Sequence, residues 1–226
     1  MHEELWTKIV TVHNYSKAYF IWCEENGVCL KSFLQPNNEL KNAWEHTVRA
    51  KANELGISID PQTPNTPNAN YQESSLNDAL KHEYRAFFDI CDWLSWTLRN
   101  KVQKDLAPYD HEVISEVIPD YFTDIRPKLD KASDEIAKIR ATKDAEARDI
   151  LIHVEKYHAI LDILIADVER ISNSIGALVE YKKKRKISFL KEYWWMIVLG
   201  SLIAGACIAF FDHLNDIVHW AFPPKK

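Results

Sequence analysis

The sequence predicts an all-α protein: a cytosolic helical bundle with a long C-terminal coiled-coil-like helix running into one transmembrane helix. Three observations carry that prediction. Glycine and proline are scarce, five and nine in 226 residues, which leaves long stretches without the residues that break helices. Apolar residues recur at steps of three and four, the spacing of one helix face. Near the C-terminus, the nineteen residues from Tyr193 to Phe211 carry no charge. At 1.5 Å per residue they extend roughly 28 Å, about the hydrocarbon thickness of a bilayer.

In chain order, a first helix is predicted over 3–26 from Leu5, Ile9, Val12, Tyr15, Tyr19 and Trp22, and it stops at Asn26-Gly27. A connector over 28–34 leads to Gln35-Pro36-Asn37-Asn38, a helix-start signal. The second helix follows over 37–55 and ends at Gly56. Residues 57–72 hold three prolines among Asn and Asp, the chemistry of a surface loop. A third helix, over 75–102, puts Leu76, Leu80, Tyr84, Phe87, Cys91, Leu94 and Leu98 on one stripe. Pro108, Pro119 and Pro127 interrupt the chain before the last element.

That element, 128–186, has no proline and only Gly176. Ile150, Val154, Tyr157, Leu161, Leu164, Val168, Ile171, Ile175 and Leu178 alternate steps of four and three, which marks a coiled-coil seam. Its β-branched residues are spread over both seam positions, which leans toward three or four strands rather than a parallel dimer. Leu151, Ile160, Ile163 and Ile165 widen the stripe, so packing on the chain's own domain is the alternative. The organisation expected is a helical cytosolic domain over 1–127, a stalk helix over 128–186, a transmembrane helix over 187–211 and a short amphipathic tail over 212–226.

The net charge of −5 is unevenly placed. Residues 1–181 hold 20 of the 28 basic residues and 30 of the 33 acidic ones, so that stretch stands near −10. Broad, non-specific nucleic-acid binding is excluded for such a body, although a local basic pocket is not. Lys182-Lys183-Lys184-Arg185-Lys186 precedes the apolar segment, and only Lys225 and Lys226 follow it. The positive-inside rule therefore places residues 1–190 in the cytoplasm. Tyr193, Trp194 and Trp195 supply an aromatic belt at one boundary and Trp220 at the other. The acidic start, Met1-His2-Glu3-Glu4, is not that of a signal peptide. Cys23, Cys29, Cys91 and Cys207 form no C-x-x-C pair and read as reduced thiols. Within the apolar segment Gly200, Ser201, Ala204, Gly205 and Ala209 form a small-residue face suited to helix association. Residues 212–220 read as a short amphipathic helix on the far surface.

Two polar stripes interrupt the apolar pattern. Asn42, His46 and Arg49 share one face of the second helix; His82, Arg85 and Asp89 share one face of the third. Paired across an interface, they make either a structural polar layer or a pocket for an anion. Lys41-Asn42-Ala43-Trp44-Glu45-His46 also resembles the R-N-x-x-x-H motif of HEPN ribonucleases, with Lys41 where those enzymes carry the arginine that contacts phosphate. Lysine does not reproduce that bidentate contact. Metal-binding spacing, glycine-rich phosphate loops and G-x-S-x-G elbows do not occur. The expectation is a protein without catalytic residues, metal or cofactor.

The segments NELKNAWEHTVRA, HEYRAFFDICDWLSW and IPDYFTDIRPKLDKASDEIAKIRATKD, with the architecture above, resemble small membrane effectors of bacterial anti-phage systems, and the channel-like effector of the Hailong system in particular. That resemblance implies a homo-oligomer, a tetramer in the Hailong family, in the bacterial inner membrane. Its sensing domain would be gated by a nucleotide or single-stranded oligodeoxynucleotide made by a partner nucleotidyltransferase. The ligand would meet Asn42, His46, Arg49, Lys51, His82, Arg85 and Arg99, with stacking on Trp44, Trp93 or Trp96. The competing expectations are a membrane-anchored HEPN-like ribonuclease and a non-enzymatic tethering or adaptor protein.

Overall fold

The computed structural model describes residues 2–26, 33–142 and 150–221. Among them the chain forms six α-helices and no strand: α1 (His2–Glu25), α2 (Leu34–Glu54), α3 (Ala69–Leu106), α4 (His111–Val117), α5 (Arg126–Thr142) and α6 (Ile150–Ala221). A π-helical turn, Tyr121–Ile125, leads directly into α5. Residues 27–32, most of the expected connector, lie outside the described residues. The chain divides into two units, Met1–Ile175 and Gly176–Lys226.

The axis of the first unit is α3. Its predicted stripe is buried and continues through Val102 and Leu106, and Ala79, Ala86, Phe88 and Ile90 beside the stripe are buried too. A helix apolar on several sides needs neighbours on several sides. α1 and α2 pack on it, and α6 brings Tyr157 against Phe87 and Phe88, ring centroids 6.2 and 5.4 Å apart and nearly perpendicular. Three tyrosines fasten α6 in place. The Tyr157 hydroxyl donates to Asp92 at 2.6 Å, Tyr84 pairs with His153 at 3.1 Å, and Tyr19 of α1 pairs with His158.

α3 starts six residues earlier than the apolar stripe indicates, because Asn68 caps it, accepting from the Asn70 and Tyr71 backbone at 3.0 and 3.1 Å. α2 ends at the predicted glycine. Gly56 adopts φ +69°, and the Ile57 amide reaches back to the Ala52 carbonyl at 2.8 Å, closing the left-handed cap of a Schellman motif. The following loop is held by Asn53, which is fully buried. Asn53 donates to the carbonyls of Pro64 and Thr66 and accepts from the Asn68 amide and the Gln72 side chain, all at 2.8–3.1 Å.

The stalk expected over 128–186 is not one helix. α5 and α6 are separate, with 143–149 outside the described residues, and they run antiparallel. Arg140 of α5 and Tyr157 of α6 meet the two oxygens of the same Asp92 carboxylate, at 3.2 and 2.6 Å. One straight helix would hold those residues about 25 Å apart. The heptad seam is real, but it faces inward: Val154, Tyr157, Leu161 and Leu164 are wholly buried within the single chain, and Ile150, Val168 and Ile171 nearly so. The first unit consequently extends to Ile175 rather than ending at 127.

In the second unit α6 continues from Gly176 to Ala221 without a break. The tail helix expected over 212–220 is the end of α6, since no glycine or proline intervenes between Gly205 and Pro223 to stop it. This is the one helix among the described residues long and apolar enough to cross a membrane, and none of its most apolar stretch is buried. The Ser201 hydroxyl donates to the Ile197 carbonyl at 2.8 Å, so its own helix satisfies it in an apolar setting.

Candidate functional site

The structure divides the sequence-predicted ligand residues into separate clusters along α2 and α3. In the first, the polar stripes of the two helices meet as expected. His46 stacks on His82 with ring centroids 5.3 Å apart and planes within 17°. His82 Nδ1 lies 2.7 Å from Glu39 Oε2, and Arg85 approaches the same carboxylate at 4.0 Å. Burial lowers the pKa of His46, with His82 and Arg49 acting in the same direction against Asp78 and Glu45. A neutral imidazole stacked on a second one is a structural layer more than an anion pocket, because the Glu39 carboxylate already accepts from Nδ1 of His82 and repels an anion placed beside it. Asn42 is exposed, as is Lys41 of the HEPN-like segment.

Arg49 and Lys51 are engaged elsewhere. Arg49 Nη2 donates to Glu45 at 2.8 Å, while its Nε makes a charge contact with Asp60 at 3.0 Å that anchors the Asn53-organised loop. The Asp60 carboxylate also accepts from the Gln62 and Thr63 backbone and the Thr63 hydroxyl. Lys51 pairs with Glu54 at 2.9 Å. It rims an apolar groove of about 560 Å³ that includes Trp6, Trp44, Val48, Leu55 and Ile59.

The remaining three candidates, Trp93, Trp96 and Arg99, converge. They sit about 16–25 Å along α3 from His82, at 1.5 Å per residue, at the mouth of a cleft that α3 forms with the π-turn and the start of α5. The cleft has a volume of about 410 Å³, and its lining includes Trp96, Arg99, Asn100, Gln103, Tyr121, Arg126, Asp130 and Ser133. That volume lies within the roughly 300–1,000 Å³ of small-molecule sites. Trp93 and Trp96 pack ring against ring at 4.8 Å and 30°, which props the half-exposed Trp96 indole at the rim. The Trp93 indole nitrogen is buried without a hydrogen-bond partner. Arg99 donates from Nε to the Ser95 carbonyl at 3.1 Å and from Nη1 to the Ser133 hydroxyl, which fixes its guanidinium across the α3–α5 seam. Burial raises the Tyr121 phenol above its ordinary range, so it remains a neutral hydrogen-bond donor at physiological pH.

Chemically, the cleft offers an aromatic face, two guanidinium groups and several amide or hydroxyl groups. Phosphate pairs with guanidinium, a base stacks on indole, and amides read base edges. Asp130 sets a limit, since it repels a phosphate placed close to it. Asn100 and Gln103 repeat from Trp96 at helical spacing and were legible as its neighbours. Tyr121, Arg126, Asp130 and Ser133 were not, because the α5–α6 hairpin and the π-turn bring them to α3. Among the described residues no group of His, Cys, Asp or Glu is arranged to hold a metal ion.

No protein-family model matches the chain, and no curated protein or solved structure does.

Proposed function

We propose that the chain is a membrane-anchored, self-associating effector of bacterial anti-phage defence. In this reading the first unit takes up a nucleotide or short oligonucleotide, and that uptake changes how the apolar helix assembles in the inner membrane. One observation carries it. α6 supplies the buried seam of a helical unit from Ile150 to Ile171 and, from Trp194 to Phe211, an apolar segment exposed along its length. A helix shared between a ligand-binding unit and a span is a mechanical link that a plain tether would not need.

The Trp96–Arg99–Arg126 cleft supports an anionic, base-bearing ligand, and Gly200, Ser201, Ala204, Gly205 and Ala209 support close packing of copies. The cation run on the N-terminal side of the span supports a cytoplasmic first unit. A homotetramer and a partner nucleotidyltransferase belong to the same reading through the family resemblance. No charged residue lies between Tyr193 and Phe211, so conduction would run past a small-residue face rather than a charged lining.

The test is dye efflux from vesicles holding the full-length protein, with a short single-stranded oligodeoxyadenylate as the probe. Efflux is expected on addition of the probe. It should fall at least about tenfold in Trp96→Ala combined with Arg99→Gln, and vanish in Gly205→Leu, which still floats with the vesicles. Probe-independent efflux, or efflux unchanged in both variants, would sink the proposal.

A further inference from the structure

The cations that precede the apolar segment form a collar, not a stripe. Lys182, Lys183, Lys184, Arg185 and Lys186 are consecutive, exposed residues of α6. With side chains about 100° apart, five in a row leave no sector of the helix wider than about 100° without a cation. Lys191 adds a sixth positive charge, against only two carboxylates, Glu180 and Glu192, between Gly176 and Tyr193.

Position along the axis matters as much as charge. Lys191 and Lys186 precede Tyr193 by about 3 and 10 Å of helix rise. The polar layer of a bilayer adds roughly 5–8 Å outside the hydrocarbon on each side. With the Tyr193–Trp195 belt at the hydrocarbon boundary, Lys191 falls within the headgroup layer and the Lys186 backbone lies a few ångströms outside it. The other four cations follow within about one turn, and lysine stems can bend toward the headgroups.

Register gives the collar a second consequence. Eighteen residues make five turns of an α-helix. Lys182, Lys183 and Lys186 therefore lie on the same face as Gly200, Ser201 and Ala204, each eighteen residues further on. Copies packed in parallel through that small-residue face bring like ammonium groups together, and anions between them relieve the repulsion.

We propose that this collar is a binding site for anionic phospholipid headgroups, which encircle α6 where it enters the membrane. The proposal rests on the membrane reading above. Lysine suits it as a point charge for a phosphodiester. Within the run itself there is no aromatic side chain on which a nucleobase could stack, which favours a headgroup over a nucleic acid.

The experiment reconstitutes the full-length protein in phosphatidylcholine bilayers and quenches Trp194 and Trp195 with brominated lipids. Brominated phosphatidylglycerol is compared with brominated phosphatidylcholine. Wild type should prefer phosphatidylglycerol about threefold at low ionic strength and lose the preference at high salt. The variant with Lys182, Lys183, Lys184, Arg185 and Lys186 all changed to Gln should be quenched equally by both lipids. Quenching of wild type with no preference overturns the collar and leaves the membrane reading standing. No quenching by either lipid overturns the membrane reading, and the collar with it. A labelled single-stranded oligonucleotide that bound wild type but not the Gln variant, with no lipid preference, would assign the collar to nucleic acid instead.

Discussion

The two halves of α6 differ in what surrounds equally apolar side chains. From Ile150 to Ile171 the apolar residues of the seam are buried, with charged residues such as Glu155, Lys156 and Glu169 facing outward. From Trp194 to Phe211 apolar residues occupy every face, and Trp194, Ile203 and Phe211 are 60%, 56% and 68% exposed. The first pattern has an inside and an outside, so the remainder of the chain can complete it. The second has no polar side to present to water, and in length and composition it is apolar enough to cross a membrane. Periodicity, rather than apolar content, separates the two.

The largest effect that tests this contrast comes from truncating matched leucines. Leu161→Ala should destabilise the first unit by about 2–5 kcal/mol, because Leu161 is wholly buried. Leu202→Ala, 66% exposed, should leave the unit's denaturant midpoint unchanged in detergent. Equal losses would erase the contrast.

Asp92→Ala tests the hairpin that replaces the stalk. It removes the carboxylate that the buried Tyr157 hydroxyl and Arg140 share, with an expected cost of about 1–3 kcal/mol. An unchanged unfolding curve would argue against α5 and α6 sharing that carboxylate.

Thiol chemistry sharpens the picture of the core. Burial pushes the Cys23 thiol up to about 12 and raises Cys91 as well, so both should resist alkylation near pH 8 until the unit unfolds. Peptide-resolved mass spectrometry after a timed pulse of iodoacetamide reads this directly. Rapid labelling of either in the folded protein would mean that α1 opens readily from α3.

The smallest effect is a pair of opposite pH dependences. The hydrogen bond that His13 donates to the Glu83 carboxylate raises its pKa above the ordinary value of 6.5, so the folded state holds that proton more tightly. The contribution is complete below pH 6.5 and is lost as pH rises through the folded value. His13→Gln should therefore cost more at pH 6 than at pH 8.5, by less than about 1 kcal/mol because the imidazole is half-exposed. His46 is lowered by burial, and its contribution is present above pH 6.5 and lost as pH falls through its folded value. His46→Gln should accordingly soften the acid side of the stability profile. Thermal melts of both variants across this pH range check the signs, and a shift of the same sign in both would contradict these assignments.

Much of the fold was legible because it is written locally. The stripe of α3, the glycine stop of α2 and the charge-free segment each depend on residues within a few turns of one another. The α5–α6 hairpin was not, since the seam has the same spacing whether its partner is another copy or α3 of its own chain. The candidate site divides in the same way. The His46–His82 contact follows from two polar stripes at matching spacing, whereas the Arg49–Asp60 pair was not legible because Asp60 sits in the loop that Asn53 folds back. Asn53 itself gives no sign in the sequence, because one buried asparagine among polar residues looks like any other.

By itself, then, the sequence determined the helical class, the bounds of α1 and α2 to within three residues and the charge-free segment with its preceding cations. All of these follow from backbone propensity and side-chain period, which act over one or two turns. Only the tertiary structure decided what the heptad seam packs against, which carboxylates neutralise Arg49 and Arg140, and that Trp96 and Arg99 share a cleft with Tyr121 and Arg126. Those outcomes depend on residues distant in the chain burying one another's apolar faces and satisfying one another's charges, and periodicity along one segment carries no record of its partner.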